Sequence, residues 1–377
     1  MSPANPLLQQ LQQRLALVQR WRLPLALLAS LAVGFLVILA VSDEPVRAFL
    51  VLVTGPMPRL DWRADGGWQL SRMVRLGAVI EDAITLCLLG LAVTLPFRAH
   101  QFSLGADGQL FLGALAATAA SLWLPGPWYL VLPVAFGAAG LTGFAWGAMP
   151  GLLKVRFDVN EIVSTLMLNI IAVQIYRWVV SDFLRDPGAG FIVTPVLPSA
   201  SQLPVLLANT NVTVMLLALP ALVWLAWLLL MRTTLGYEIR MVGEAPAFAR
   251  QAGLPVRRTI WLSMAAGGVF AALAGVHLSH GLLKRLPVDL PTGLGYEGLL
   301  VALLARNDPR AVPLAALLYA WLRTGALAME RSTDVSREVV LVIQALMILF
   351  VVSERMGPAL AGRWLNWRAR REARHVA

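Results

Sequence analysis

Apolar positions in this chain do not alternate with polar ones at the two-residue period of a half-buried strand; they gather into long runs broken by short polar segments. A run of about 20 uncharged residues is what an α-helix needs to cross roughly 30 Å of hydrocarbon. Such runs recur at Leu23–Val41, Gly77–Leu95, Gly105–Leu124, Trp128–Met149, Glu161–Val180, Val212–Met231, Thr259–Leu283, Val312–Leu327 and Val339–Val352. Gly295–Ala305 is shorter and predicts a re-entrant or broken helix, which a membrane tolerates only where protein or a water-filled cavity covers the backbone. Phe97–Gln109 has the same character, because Arg98, His100, Ser103, Gly105, Asp107, Gly108 and Gln109 interrupt hydrophobicity between two runs. The pattern predicts an all-α, polytopic membrane helical bundle of about ten transmembrane segments.

The polar segments set the expected topology. Arg14, Arg20 and Arg22 precede the first run without an acidic residue, so the positive-inside bias puts the N-terminus in the cytoplasm. Ala40–Ser42 is weakly cleavage-like, but the preceding run exceeds a signal peptide's apolar region and reads as a retained anchor. Counting onward, both termini are cytoplasmic: 1–22 is a cytoplasmic tail, 23–355 the membrane domain and 356–377 a basic tail suited to acidic head groups. Residues 42–75 form an external loop, with the short apolar stretch Val46–Val53 on the outer surface, and 232–258 a cytoplasmic loop. Glu81 and Asp82 are expected in the outer turn of the second span, where an ionised carboxylate is less costly than at mid-bilayer.

Composition agrees: 58% of the 377 residues are hydrophobic and 14% charged, far from a soluble domain. The net charge of +10 lies at the ends of apolar runs rather than along one polar face, which speaks for topology and against nucleic acid. A single cysteine, Cys87, excludes a disulfide framework. No phosphate-cradling loop ends in Lys and Ser or Thr, and neither HExxH nor a G-x-S-x-G elbow occurs, so the chain carries no ATP-hydrolysing or hydrolase signature. His277 and His280, three apart, are a poor metal site by themselves, and no metal is expected.

Candidate function lies in two places. In the cytoplasmic loop, Pro246 can open a short helix beside Glu244, with Ala247, Phe248 and Ala249 continuing it and Gly253 closing it in a left-handed cap. An exposed Phe248 on such a helix suits docking into a groove on another protein, and an ordinary solvated loop is the alternative. At membrane depth, a pathway for a polar solute needs hydrogen-bonding groups, and Ser103, Asp107, Gln109, Ser164, Thr165, Asn169 and Gln174 are available. Asn160 and Glu161 read better as an N-cap and first-turn acid, while Ser164 and Thr165 can bond back to their own helix. Glu297 fits either the cavity or the outer interface.

Four segments also resemble one family. FSLGADGQL at 102–110 is similar to its FNIGAEGQ segment, NEIVSTLMLN at 160–169 to its NEVISTLMLN, Arg240–Leu254 to its AxGENPxAAxYAGI, and GYEGLLVALLARND at 295–308 to its GxGFxGIAVALLGRNNP. In this order they resemble the inner-membrane permeases of bacterial ABC importers of the branched-chain amino acid, ribose and nucleoside group, most of all the larger permease of nucleoside-type systems. This chain departs from the family at Ser103, Asp107, Ala245 and Ala305, where Asn, Glu, Asn and Gly are usual.

The resemblance implies a permease subunit in the bacterial inner membrane, paired with a second, different permease and fed by an extracytoplasmic substrate-binding lipoprotein. A separate ABC ATPase would drive it, with no cofactor bound directly and ATP used through that partner. It implies that Gly243, Glu244, Ala247, Phe248, Ala249 and Gly253 couple to the ATPase, and that the cargo is a nucleoside or purine, or a simple sugar. The runner-up is an ion-coupled secondary carrier, which would need a titratable residue in mid-span.

Overall fold

The computed structural model describes residues 32–62, 68–71, 73–207 and 210–336, with isolated positions between 339 and 346. The tails at 1–22 and 356–377, residues 23–31 of the first apolar run and most of the run Val339–Val352 lie outside the described residues. The chain divides into two compact units, one from the segments up to Gly55 and from Gly325 onward, the other Pro56–Thr324.

In the first unit, α1 (Ala32–Val41) is followed by α2 (Pro45–Thr54), which Pro45 opens. The stretch expected on the outer surface is therefore helical. It is also packed, because Ala48 and Leu52 are buried and Gly325 presses against the Leu52 carbonyl. Ser42 Oγ and the Asp43 amide donate to the Asp334 carboxylate at 2.7 and 2.8 Å.

Among the described residues the regular structure of the second unit is helical apart from two isolated bridges and an antiparallel hairpin, β1 (Arg59–Trp62) with β2 (Trp68–Ser71), inside the segment expected to be an external loop. Its helices are α3 (Met73–Arg98), α4 (Ala106–Trp123), α5 (Trp128–Phe157), α6 (Glu161–Trp178), α7 (Met215–Arg232), α8 (Thr234–Glu244), α9 (Pro246–Gln251), α10 (Val256–Val276), α11 (Leu294–Leu304) and α12 (Val312–Ser332, which runs on into the first unit). Single π-helical turns extend α6 through Phe183 and α10 through Leu283.

Among the described residues six helices are long and apolar enough to cross a membrane: α3, α5, α6 and α10 with their π turns, α7 and α12. α4 misses this set because Asp107 and Gln109 occupy its first turn, and α11 because it has 11 residues.

α10 sits at the centre, against α3, α4 and α5. In lipid no hydrophobic force drives helices together, so close packing of small residues must. Gly143, Gly147 and Gly151 form a stripe on α5 facing Gly268, Met264 and Trp261 of α10, and Gly143 and Gly268 touch backbone to backbone. A Cβ on Gly113 of α4 would lie 2.5 Å from Ala272. Polar residues are thereby enclosed at positions that lipid alone would penalise.

Candidate functional site

α3 ends at Arg98, capped by His100 in the left-handed region, with the Gln101 amide donating to the Pro96 carbonyl at 2.9 Å. The chain then runs without regular structure to Gly105, and α4 begins at Ala106. A second break lies between the π turn at Leu283 and α11 at Leu294. A Cβ on Gly298 would meet Leu89, and one on Gly90 would meet Val301, so α11 lies beside the C-terminal half of the 26-residue α3. Both breaks therefore fold back into the bundle. Two helix N-termini, those of α4 and α11, meet there.

Asp107 joins them. Its Oδ1 accepts from the Gly295 amide at 2.6 Å and its Oδ2 from the Gly293 amide at 3.1 Å. A carboxylate in the first turn of one helix thus also caps the N-terminus of another, matching its negative charge to both helix dipoles. A Cβ on Gly295 would lie 2.6 Å from the Asp107 amide, so contact at this distance needs glycine.

α6 holds the other side of the first break. Asn169 accepts from the Gly108 amide at 2.9 Å and donates from Nδ2 to the Leu104 carbonyl at 2.7 Å, while Thr165 Oγ1 accepts from the Leu104 amide at 3.3 Å. Ser164 and Thr165 donate back to the Glu161 carbonyl, as the local reading expects. Asn160 caps α6 through the Ile162 amide at 2.9 Å, and Glu161 pairs with Lys154 at 2.6 Å. Ser103, Asp107, Gln109, Ser164, Thr165 and Asn169 are all buried in one neighbourhood. Gln174 is separate, exposed on an apolar face of α6 with Met167, Ile170, Ile171 and Trp178.

α8 and α9 build the second candidate region. Thr233 caps α8 through the Gly236 amide at 3.1 Å. Pro246 opens α9, and Gly253 takes φ +76° beyond its end. The Leu254 amide bonds the Ala249 carbonyl at 3.0 Å and the Gly253 amide bonds the Arg250 carbonyl at 3.1 Å, the two bonds of a Schellman cap. The helix sits on Val242, Ala249, Leu254, Val256 and Ile260. Of the six residues singled out here, Gly243 and Ala249 face inward, whereas Glu244, Ala247, Phe248 and Gly253 are exposed, Phe248 by 55%.

The two regions are physically continuous. Gly243 lies directly on the Arg98 carbonyl, with no room for a side chain between them. Arg98 Nε donates to the Asn307 carbonyl at 2.6 Å, just past the end of α11. Arg306 and Asn307 are both left-handed, a conformation costly for side-chain-bearing residues unless neighbours hold it.

The sequence reading missed Arg323. It lies on α12 and reaches Glu297 at 2.9 Å and Asp82 at 3.7 Å, tying α3, α11 and α12 together. α3 starts at Met73, so Asp82 lies more than two turns into the helix, and Glu81 is buried. The available signal was an arginine inside an apolar run, which needs a buried partner. A second signal was the match of LGADGQL at 104–110 with LGYEGLL at 294–300, one at each break. His277 and His280 are buried in the π turn, His280 between Ser121 and Ser279 at 2.9 and 2.7 Å. No group of three metal-ligating side chains occurs among the described residues.

Broken helices meeting inside a polytopic bundle, beside the α8–α9 pair whose Gly243 rests on the end of α3, are the arrangement of a multi-pass transport subunit. The chain belongs to the family described as the permease component of the branched-chain amino acid transport system, which matches residues 76–352. It is 34% identical over 315 residues to the guanosine ABC transporter permease protein of Bacillus subtilis, covering 81% of this chain and 89% of that one. It is 33% identical over 340 residues to the glucose ABC transporter permease protein of Haloferax volcanii, covering 87% and 86%. A nucleoside ABC transporter permease protein of Lactococcus lactis is 28% identical over 287 residues, covering 73% and 78%. The chain is thus an ABC transporter permease and not an enzyme: ATP is hydrolysed by separate ATPase subunits, and the ion-coupled carrier reading gains no support.

Proposed function

We propose that this permease forms one half of the translocation pathway of an importer in the bacterial plasma membrane, spanning it about ten times with both termini cytoplasmic. Its partners are an ABC ATPase, a second and different permease, and an extracytoplasmic substrate-binding lipoprotein. Its cargo is a small polar solute, a nucleoside or purine in preference to a simple sugar, as carried by the relatives named above.

The observation that carries this reading is the seat of Gly243 on Arg98. The end of α8 presents Glu244 and α9 presents Ala247 and Phe248 to a groove on the ATPase, and closure of the ATPase dimer displaces α8 and α9 as one rigid piece. Because Gly243 leaves no gap, the displacement passes to Arg98, and through its bond to Asn307 to the end of α11. Asp107 makes the N-termini of α4 and α11 move together. Ser103, Gln109 and the exposed face of α6 with Gln174 line the path, where a polar side chain among apolar ones suits a second permease better than lipid.

The test is a mild-detergent pull-down of the tagged chain from native membranes, repeated with Phe248→Asp plus Glu244→Arg. Wild type should bring down an ATPase and a second permease, and the double variant should lose the ATPase and transport while keeping the permease. Intact ATPase association in the double variant would sink the assignment of α9.

A further inference from the structure

The last turn of α5, the end of α9 and the first turn of α10 line an open cavity of about 1060 Å³, whose walls include Lys154, Arg156, Phe157, Arg250, Arg257 and Arg258. Lys154 is paired with Glu161, but no ion pair engages the four arginines among the described residues. Asp158 is the acidic side chain on the wall. The four guanidiniums are exposed and screened by water, but an anion seated among them would be attracted by each, and α10 points its positive N-terminal dipole the same way.

The other side of the cavity is apolar. Phe157 is 66% exposed, and Leu152 and Val159 continue an exposed apolar surface at the end of α5. An occupant must be anionic at one end and hydrocarbon at the other. A soluble phosphate meets the first requirement alone, and an acidic protein surface would leave Phe157 and Leu152 unserved.

We propose that this cavity binds the phosphodiester head group of an acidic phospholipid, with its acyl chains against Leu152 and Phe157. The placement rests on the reading of the α8–α9 side as the cytoplasmic surface. Basic pockets between membrane helices on that side are suited to such head groups, each Lys or Arg near the surface adding attraction.

The experiment compares wild type with Arg257→Gln/Arg258→Gln, which leaves α9 intact, and with Arg185→Gln on an exposed loop elsewhere as control. The full chain, purified with its co-purifying subunits, is loaded with cardiolipin or with phosphatidylcholine, and retained lipid is counted by native mass spectrometry. Wild type and the control variant should retain cardiolipin selectively, and the double variant should retain about tenfold less or lower. Equal retention by the double variant overturns the proposal. So does displacement of cardiolipin by millimolar inorganic phosphate, which would make the cavity a free-anion site. So does loss of the ATPase from the double variant with lipid retention unchanged, which would make it part of a protein interface. Absence of an ATPase from the wild-type preparation would count against the importer assembly instead, and leaves the lipid comparison readable.

Discussion

The junction of α4, α6 and α11 and the surface around α9 are both polar interruptions of an apolar chain, and they are built in opposite ways. At the junction Asp107, Thr165 and Asn169 are buried and bonded to backbone groups of the breaks. At α9 the cap and the core side are satisfied, but Glu244, Ala247 and Phe248 project outward. A buried polar group that is bonded holds a shape, since losing its partner costs more than the bond itself contributes. An exposed aromatic on a firmly capped helix holds nothing internally and is available to another molecule. On the proposed reading, the junction is the part of the pathway that must keep its form, and α9 the part that receives force.

The strongest test of that contrast removes Asp107. Asp107→Leu leaves the Gly293 and Gly295 amides without an acceptor and should cost about 3 kcal/mol, read as a lower thermal midpoint in detergent, with transport lost. A wild-type midpoint would mean that the two helix ends are held otherwise. Asn169→Leu frees the Gly108 amide and the Leu104 carbonyl and should cost about 2 kcal/mol by the same measurement. At α9 the largest stability effect should come from Gly253→Ala, about 1 kcal/mol, because φ there is left-handed.

Phe248→Asp should leave the midpoint within about 0.5 kcal/mol of wild type while abolishing transport. If it destabilised the protein as much as Asp107→Leu, the distinction between the two regions would fall. The smallest effect should be that of acid on Asp334. The Ser42 hydroxyl and the Asp43 amide hold this exposed carboxyl below the usual carboxylate range. With a folded pKa below the unfolded one, its contribution is present above about pH 4 and disappears as pH falls through the folded value, a dependence absent in Asp334→Asn.

Much of α9 was legible in the sequence because its cues are local. Glu244, Pro246 and Gly253 stand within ten residues, and opening and closing a helix of this length depends on near neighbours. The caps at Asn160 and the back-bonds of Ser164 and Thr165 are local in the same sense. Asp107, Asn169 and Arg323 could be flagged as polar groups at membrane depth, but their partners could not be named. Asp107 lies 186 and 188 positions from the glycines it caps, and no periodicity in a single chain encodes that pairing.

By itself, then, the sequence determined that this is a helical membrane protein with two broken segments and a short exposed helix, and its motifs already resembled the permease family. Run length against bilayer thickness, turn chemistry and capping fix these within a few residues of chain. Tertiary structure alone decided that both breaks converge on Asp107, that Arg323 gathers Asp82 and Glu297, and that Gly243 rests on Arg98. The physical reason is that a membrane interior supplies no water to satisfy a buried polar group. Each must find its partner wherever packing brings another helix close, and packing of small residues between helices is a property of the assembled bundle.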